Sequence, residues 1–280
     1  LVTAGAVAAT AALGVKIQRT YDHLDHGEPY VQAAPETLVQ PVKAGELDAA
    51  ALKKRLDELG KDKALGTFGA QVIDTTTHEV IWEREPAKPL TPASATKVLT
   101  VAAATLALDE DKRITTEVLA GEKDGEVVIK AAGDVWLTEE RLDDLAEQIK
   151  HTTGTVRRVS IDTSVWAGPD QAAGWDEDNI DGGYVAPIQP AMLYGGRIGE
   201  KTGDVPRSHH PALDVARALA ARLGADTADI AAAPAGGAVI ATSESEPLAL
   251  RAQQAVKESD NVMAEAIARE LAISQDAEAS

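Results

Sequence analysis

The sequence predicts an α/β fold with a long segment, of one or two domains, between two serine-bearing motifs. Three observations carry this. Short strand candidates at Glu126–Ala131 and Val156–Asp162 flank an amphipathic helix at Thr138–Lys150, the alternation expected of an α/β layer. Ser94–Leu108 (SATKVLTVAAATLAL) has the length of a helix and is apolar on nearly every side, which predicts a place in the middle of a protein. Two serine-bearing motifs, Ser94-Ala95-Thr96-Lys97 and Ser259-Asp260-Asn261, lie 165 positions apart, a gap wide enough for a domain of its own.

Composition narrows the classes. Apolar residues make up 44% of the 280, yet only nine residues are aromatic. The core must therefore be built from Ala, Val, Leu and Ile. A net charge of −18 argues against a nucleic-acid partner, since phosphate binding needs clustered Lys and Arg. A GC-rich genome would produce the same Ala-rich, Lys-poor composition, so the charge implies no ligand. The absence of cysteine excludes disulfides, thiol chemistry and Cys-based zinc sites without deciding the compartment.

Taken in order, Leu1–Val15 is an unbroken small and apolar run followed by Lys16. It suits a signal-peptide core or the rest of a signal anchor, with a buried N-terminal helix as the alternative. Gln18–Lys43 is polar and aperiodic, the texture of a linker. Leu47–Leu59 has helical apolar spacing among many charges and reads as a surface helix. Thr67–Asp74 and Glu79–Glu83 read as a two-stranded hairpin. Pro89-Leu90-Thr91-Pro92-Ala93 is a rigid approach to the apolar helix. Beyond the amphipathic helix, Ala167–Pro190 is rich in Gly, Pro, Trp and Asp and too long for a simple loop. Ala212–Leu223 is a second amphipathic helix. Pro247–Leu271 contains two helical segments broken at Ser259-Asp260-Asn261.

Two motifs bear chemistry. At a spacing of three on a helix, Ser94 and Lys97 share one face. Ser94 would sit at the helix N-terminus, where free N–H groups and the macrodipole favour developing negative charge. A lysine on an apolar helix loses solvation, which lowers its pKa toward the range of a general base. Together they would form an activated nucleophile; the plainer reading is a capping Ser and a Lys snorkelling to solvent. Ser259-Asp260-Asn261 taken alone is a helix start. Paired with an upstream S-x-x-K it gains meaning, because that pairing occurs in β-lactamases and penicillin-binding proteins.

The residues PASATK (92–97) and ESDNVMAEAIARELA (258–272) resemble the first two active-site motifs of the penicillin-binding D-Ala-D-Ala carboxypeptidases of peptidase family S13. Phe68–Trp82 fits that family's opening hairpin, and AAGDVWLTEERLDDLAEQI (131–149) its G-G-D-P-x-L-T stretch and following helix. VSIDTSVWAGPDQAAGW (159–175) and YVAPIQPAMLYGGR (184–197) resemble its inserted region. The resemblance runs from about residue 64 to the C-terminus. It implies a penicillin-binding-protein/β-lactamase-like transpeptidase domain, residues 64–115 and 241–280, split by an inserted α/β region at 116–240. Residues 1–17 would be a signal or membrane-anchor remnant and 18–63 a linker with its surface helix.

The resemblance also implies a mechanism and a location. Ser94 would attack the carbonyl between the terminal D-alanines of a peptidoglycan stem peptide, with Lys97 taking its proton. Ser259 would pass a proton toward the leaving amine, and Asn261 would hold the substrate backbone or the Lys97 amine. The Ser94 N–H would supply half of an oxyanion hole. Water would release the acyl group, whereas β-lactams would acylate Ser94 and leave slowly. No cofactor or metal is implied. The location would be extracytoplasmic, in the cell envelope, with membrane anchoring through the N-terminal segment.

The family's third motif is Lys-Thr-Gly on a strand after the second motif. Lys201-Thr202-Gly203 precedes Ser259 instead and is set in loop-like sequence (GGRIGE before, DVPRSHHP after), so we do not assign it. Only 21 residues follow Ser259 and none resembles such a strand. The expectation is therefore an incomplete chain, cut at both ends, that would not hydrolyse efficiently by itself. Asp22-His23-x-Asp25-His26 and His209-His210 lie in linker and loop sequence and are not read as metal sites. Gly195-Gly196-x-x-Gly199 lacks the strand-then-helix context of a phosphate loop. Trp136, Trp166 and Trp175 are expected to pack in the core or the inserted region, with contact of one of them to glycan as the alternative. A non-catalytic envelope protein of the same fold is the competing reading, disfavoured by the intact Ser94, Lys97, Ser259 and Asn261. A β-lactamase is third, disfavoured by the wide gap between motifs.

Overall fold

The structure is a computed structural model that describes residues 47–275, apart from Ala167 and Ala233, together with Val15, Lys16, Gln18 and Arg19. Most of the apolar N-terminal run, nearly all of the linker and the Asp22–His26 cluster lie outside the described residues. Among the described residues no helix is long and apolar enough to cross a membrane. The chain divides at Lys88/Pro89 into two compact units.

In the first unit, Asp48 caps helix α1 (Ala49–Leu59) through the Ala51 N–H, and no residue of α1 is buried. Strands β1 (Ala70–Ile73) and β2 (Val80–Arg84) pair antiparallel. The Asp74 carboxylate accepts the N–H groups of Thr76 and Thr77 in the turn between them, an Asx turn of the kind that Asp favours. Trp82 donates its indole N–H to Asp57, tying the hairpin to α1.

The second unit opens on a 3₁₀ turn, Ala93–Ala95, that runs into helix α2 (Thr96–Ala107). The chain then enters a five-stranded sheet of β3 (Thr115–Ala120), β4 (Glu126–Lys130), β6 (Arg158–Asp162), β8 (Thr227–Ile230) and β9 (Val239–Glu244). Its strand order is β8-β6-β4-β3-β9. β4, β6 and β8 are parallel, while β3 pairs antiparallel with both β4 and β9. Parallel neighbours need crossover connections, and helices α3 (Glu139–Thr152) and α5 (Pro211–Leu223) supply them.

Both crossover helices carry their ends in the sequence. Thr138 caps α3, Glu139 and Glu140 fill its first turn and Lys150 and His151 its last, matching the helix dipole. α5 begins on Pro211 and ends on left-handed Gly224, the asymmetry expected of helix termini. The helices pack Leu142, Leu145, Ile149, Val215 and Leu219 onto Val118, Val127, Ile129, Val159 and Ile161 of the sheet. This aliphatic core contains no aromatic ring. Burying each such side chain contributes about 1.5–3 kcal/mol.

A short parallel pair, β5 (Asp134–Leu137) and β7 (Ala191–Leu193), lies outside the main sheet. The irregular segment before β7 contains the single helical turn α4 (Asp178–Asp181), and its Trp166, Ala186 and Ile188, with Met192 of β7, pack against Val262 and Ala266. Those last two belong to α7 (Asn261–Ser274), which follows α6 (Leu248–Lys257). Ala104 of α2 packs against Leu248, Ala252, Ala255, Met263 and Ile267 of the two C-terminal helices.

One expectation fails here. The apolar helix α2 is not wrapped on all sides: only Lys97 and Ala104 are buried, and Leu99 and Leu106 are 72% and 88% exposed. Its single packed face is the one that meets α6 and α7, so the sequence recorded the capacity of the helix to be covered on every side, not the presence of neighbours there.

Candidate active site

The site is assembled where the start of α2 meets the turn between α6 and α7. Ser94 lies in the 3₁₀ turn and is exposed, and Lys97, one helical turn on, is 8% exposed. Their side chains meet, with Lys97 Nζ 3.3 Å from Ser94 Oγ. Ala93, just before the serine, has φ +45°. That left-handed conformation is costly for a residue with a Cβ, and it turns the chain from the Pro-rich approach into the helix.

Across from them, Asp260 caps α7 by accepting the Met263 N–H at 2.9 Å. This leaves Asn261 as the first helical residue. Lys97 Nζ donates to Asn261 Oδ1 at 2.5 Å, and Asn261 Nδ2 donates to the Tyr184 carbonyl at 2.9 Å. The amide is thereby fixed: its nitrogen faces a carbonyl, so its oxygen must face the lysine. Ser259 stands two residues earlier in the turn, exposed, with φ +53°. Among the described residues its hydroxyl bonds neither Lys97 nor Ser94. The structure thus joins Ser94, Lys97 and Asn261 by hydrogen bonds and places Ser259 in the turn that leads to Asn261.

Burial lowers the Lys97 pKa below the ordinary lysine value, and the nearby Asp260 carboxylate only partly opposes it. Asp260 is itself buried, which would raise its pKa. Arg207, the Met263 N–H and Arg197 outweigh that and hold it below the usual carboxylate range. Arg197 and Arg207 donate to Asp260 Oδ2 at 2.8 and 3.4 Å, and all three side chains are almost wholly buried. The arginines escaped the sequence reading. In the structure Gly195 (φ +66°) stands against them, where an added Cβ would lie 2.7 Å from the Arg207 guanidinium.

Lys201-Thr202-Gly203 is an exposed loop; Lys201 pairs with Glu140 at 3.2 Å and lies over the Tyr194 ring. His209 meets Asp181 on the surface. No cluster of metal-ligating side chains occurs among the described residues. Trp166 is buried and Trp175 packs against the same apolar cluster, while the Trp136 ring lies under the Arg197 guanidinium.

The fold is that of the penicillin-binding proteins. It aligns with penicillin-binding protein 4 (dacB) from Haemophilus influenzae at a TM-score of 0.61 and 19% identity, over 82% of this chain and 66% of that one. A second structure of that protein, complexed with a β-lactam, aligns at 0.51. The chain belongs to the D-Ala-D-Ala carboxypeptidase 3 (S13) family, which it matches over residues 52–205 and 199–280. It is 40% identical to Carboxypeptidase Rv3627c of Mycobacterium tuberculosis over 86% of its own length. It is 39% identical to Carboxypeptidase DacB of Mycolicibacterium smegmatis over 95%. The chain spans 58% and 62% of the lengths of those two relatives.

Proposed function

We propose that this chain carries the nucleophile and base of a serine D-Ala-D-Ala carboxypeptidase or endopeptidase acting on peptidoglycan stem peptides. The observation that supports it best is the contact chain Ser94–Lys97–Asn261. Neutral Lys97 accepts the Ser94 hydroxyl proton as Oγ attacks the carbonyl between the two terminal D-alanines. The tetrahedral adduct collapses with cleavage of the C–N bond, and Ser259 relays a proton to the departing D-alanine amine. Water then cleaves the Ser94 ester, returning the hydroxyl. The Ser94 N–H, at the mouth of a helical turn, supplies one oxyanion donor. A β-lactam enters by the same attack, but its amine stays tethered after ring opening.

The domain reading is part of this proposal: residues 64–115 and 241–280 form the catalytic part, and 116–240 the insertion. Its support is that β3 and β9, at the two ends of the insertion, pair with each other, so the chain enters and leaves side by side. We place the enzyme outside the cytoplasm, in the cell envelope, exported or anchored by the N-terminal apolar segment.

The test is incubation of the intact natural protein with disaccharide-pentapeptide and with cross-linked dimer. Mass spectrometry should show loss of one alanine from the former, or scission of the latter. Neither product should form with Ser94→Ala, and product formation by that variant would exclude Ser94 as the nucleophile.

A further inference from the structure

We propose that Arg197 and Arg207 are positioning residues for this site, which fix the Asn261 amide and the Lys97 amine through their shared grip on Asp260. The inference rests on the reading of Lys97 as the base. Both guanidinium groups converge on one carboxylate oxygen, Oδ2, while Oδ1 holds the Met263 N–H at the start of α7. The carboxylate therefore links the helix that presents Asn261 to the irregular segment between β7 and α5.

That segment is built around the two guanidinium groups. Arg207 also donates to the carbonyls of Gly183 and Gly195 at 2.9 and 2.8 Å. Arg197 donates to those of Tyr194 and Gly203 at 3.0 and 2.9 Å. All three nitrogens of each guanidinium thus bond the backbone or Asp260, and both side chains are almost wholly buried, which leaves neither arginine placed to meet a ligand. Gly183 is one residue from Tyr184, whose carbonyl orients the Asn261 amide. Arg207 thus touches both ends of the clamp: Gly183 beside the carbonyl, and Asp260 beside the amide.

Charge gives the clamp a second effect. Asp260 is the charged group whose field acts on Lys97, and the groups facing Asp260 are the two arginines. An uncompensated carboxylate there would favour the lysine cation, which has no lone pair for the Ser94 proton. Two cations against one anion keep the amine available as a base. Burial of a charge is tolerated only when it is paired in this way.

The test reads Lys97 directly. In the intact protein with ¹³C-labelled lysine, the Lys97 Cε signal, assigned with Lys97→Met, is titrated in wild type, Arg197→Met, Arg207→Met and Asp260→Asn. Acylation by a fluorescent penicillin is followed in parallel across pH. Each arginine variant should move the midpoint upward and slow acylation at neutral pH, about tenfold for every pH unit by which the midpoint rises. Asp260→Asn keeps the N-cap acceptor and should move the midpoint downward, which covers the case of an arginine variant that fails to fold. Unchanged midpoints, with or without a smaller labelled fraction, would reduce the arginines to supports of the fold and overturn the proposal. Midpoints that move as stated in a protein that no penicillin labels would instead overturn the proposed function and leave the clamp standing.

Discussion

In the proposed mechanism Lys97 is the residue on which the chemistry turns, because only its neutral form could take the Ser94 proton. Burial lowers its pKa from the ordinary lysine value, so the sign of the pH dependence follows. Acylation should rise with pH along one deprotonation centred below the normal lysine range and be lost as pH falls through it. Stopped-flow labelling across pH checks this; a flat profile would contradict it. Lys97→Met should slow acylation by roughly 10²–10⁴-fold, and Lys97→Arg should not rescue it, since a guanidinium stays charged. The place of Asn261 beside Lys97 came only with the family resemblance, whereas the meeting of Ser94 with Lys97 was legible because a three-residue helical spacing is a local pattern. Arg197 and Arg207 were not, because their partner Asp260 lies 63 and 53 positions away and nothing in the local sequence names it.

At the scale of elements, the turn between α6 and α7 is held by the Asp260 cap and its ion pairs. Asp260→Ala removes the cap and leaves two buried guanidinium groups short of a partner, so we expect a loss of about 3–5 kcal/mol, read by urea denaturation. A loss below about 1 kcal/mol would contradict the clamp, since breaking a buried pair is costly. The folded-state pKa of Asp260 is depressed, so its contribution is present above the unfolded carboxylate value, about 3.9. It is lost as pH falls through the lower folded value. Acid titration of Asp260→Asn against wild type should show this difference confined to that window. Helices α3 and α5 were readable within a residue or two from apolar spacing, and α6 and α7 as two segments broken at 259–261, with the end of α7 read three residues early. Strands β3, β5, β7, β8 and β9 were not read. β5, β7 and β8 have three or four residues, too few to display a period, and β3 and β9, though six residues long, are paired with each other by chain more than a hundred positions apart.

Over the whole molecule, stability is concentrated in the aliphatic layer between the five-stranded sheet and helices α3 and α5. Ile129→Ala and Leu219→Ala, both fully buried there, should each cost about 2–5 kcal/mol by denaturant midpoint. The penicillin reactivity of the molecules still folded should not change. A loss of reactivity without a loss of stability would show that this layer takes a direct part in catalysis. The division into a catalytic part and an insertion belongs to the proposal, whereas the α/β class was legible in the alternation of strands with an amphipathic helix. The bare faces of α2 were not, because hydrophobicity records what a helix can bury against and not which neighbours it meets.

The central claim is that Ser94 is an acyl-accepting nucleophile. It is tested most directly by incubating the intact natural protein with benzylpenicillin, digesting it, and locating the adduct by tandem mass spectrometry. A single penicilloyl ester is expected on the Ser94 peptide, absent in Ser94→Ala and strongly reduced in Lys97→Met. An adduct on another residue, or none on a folded protein, would contradict the claim.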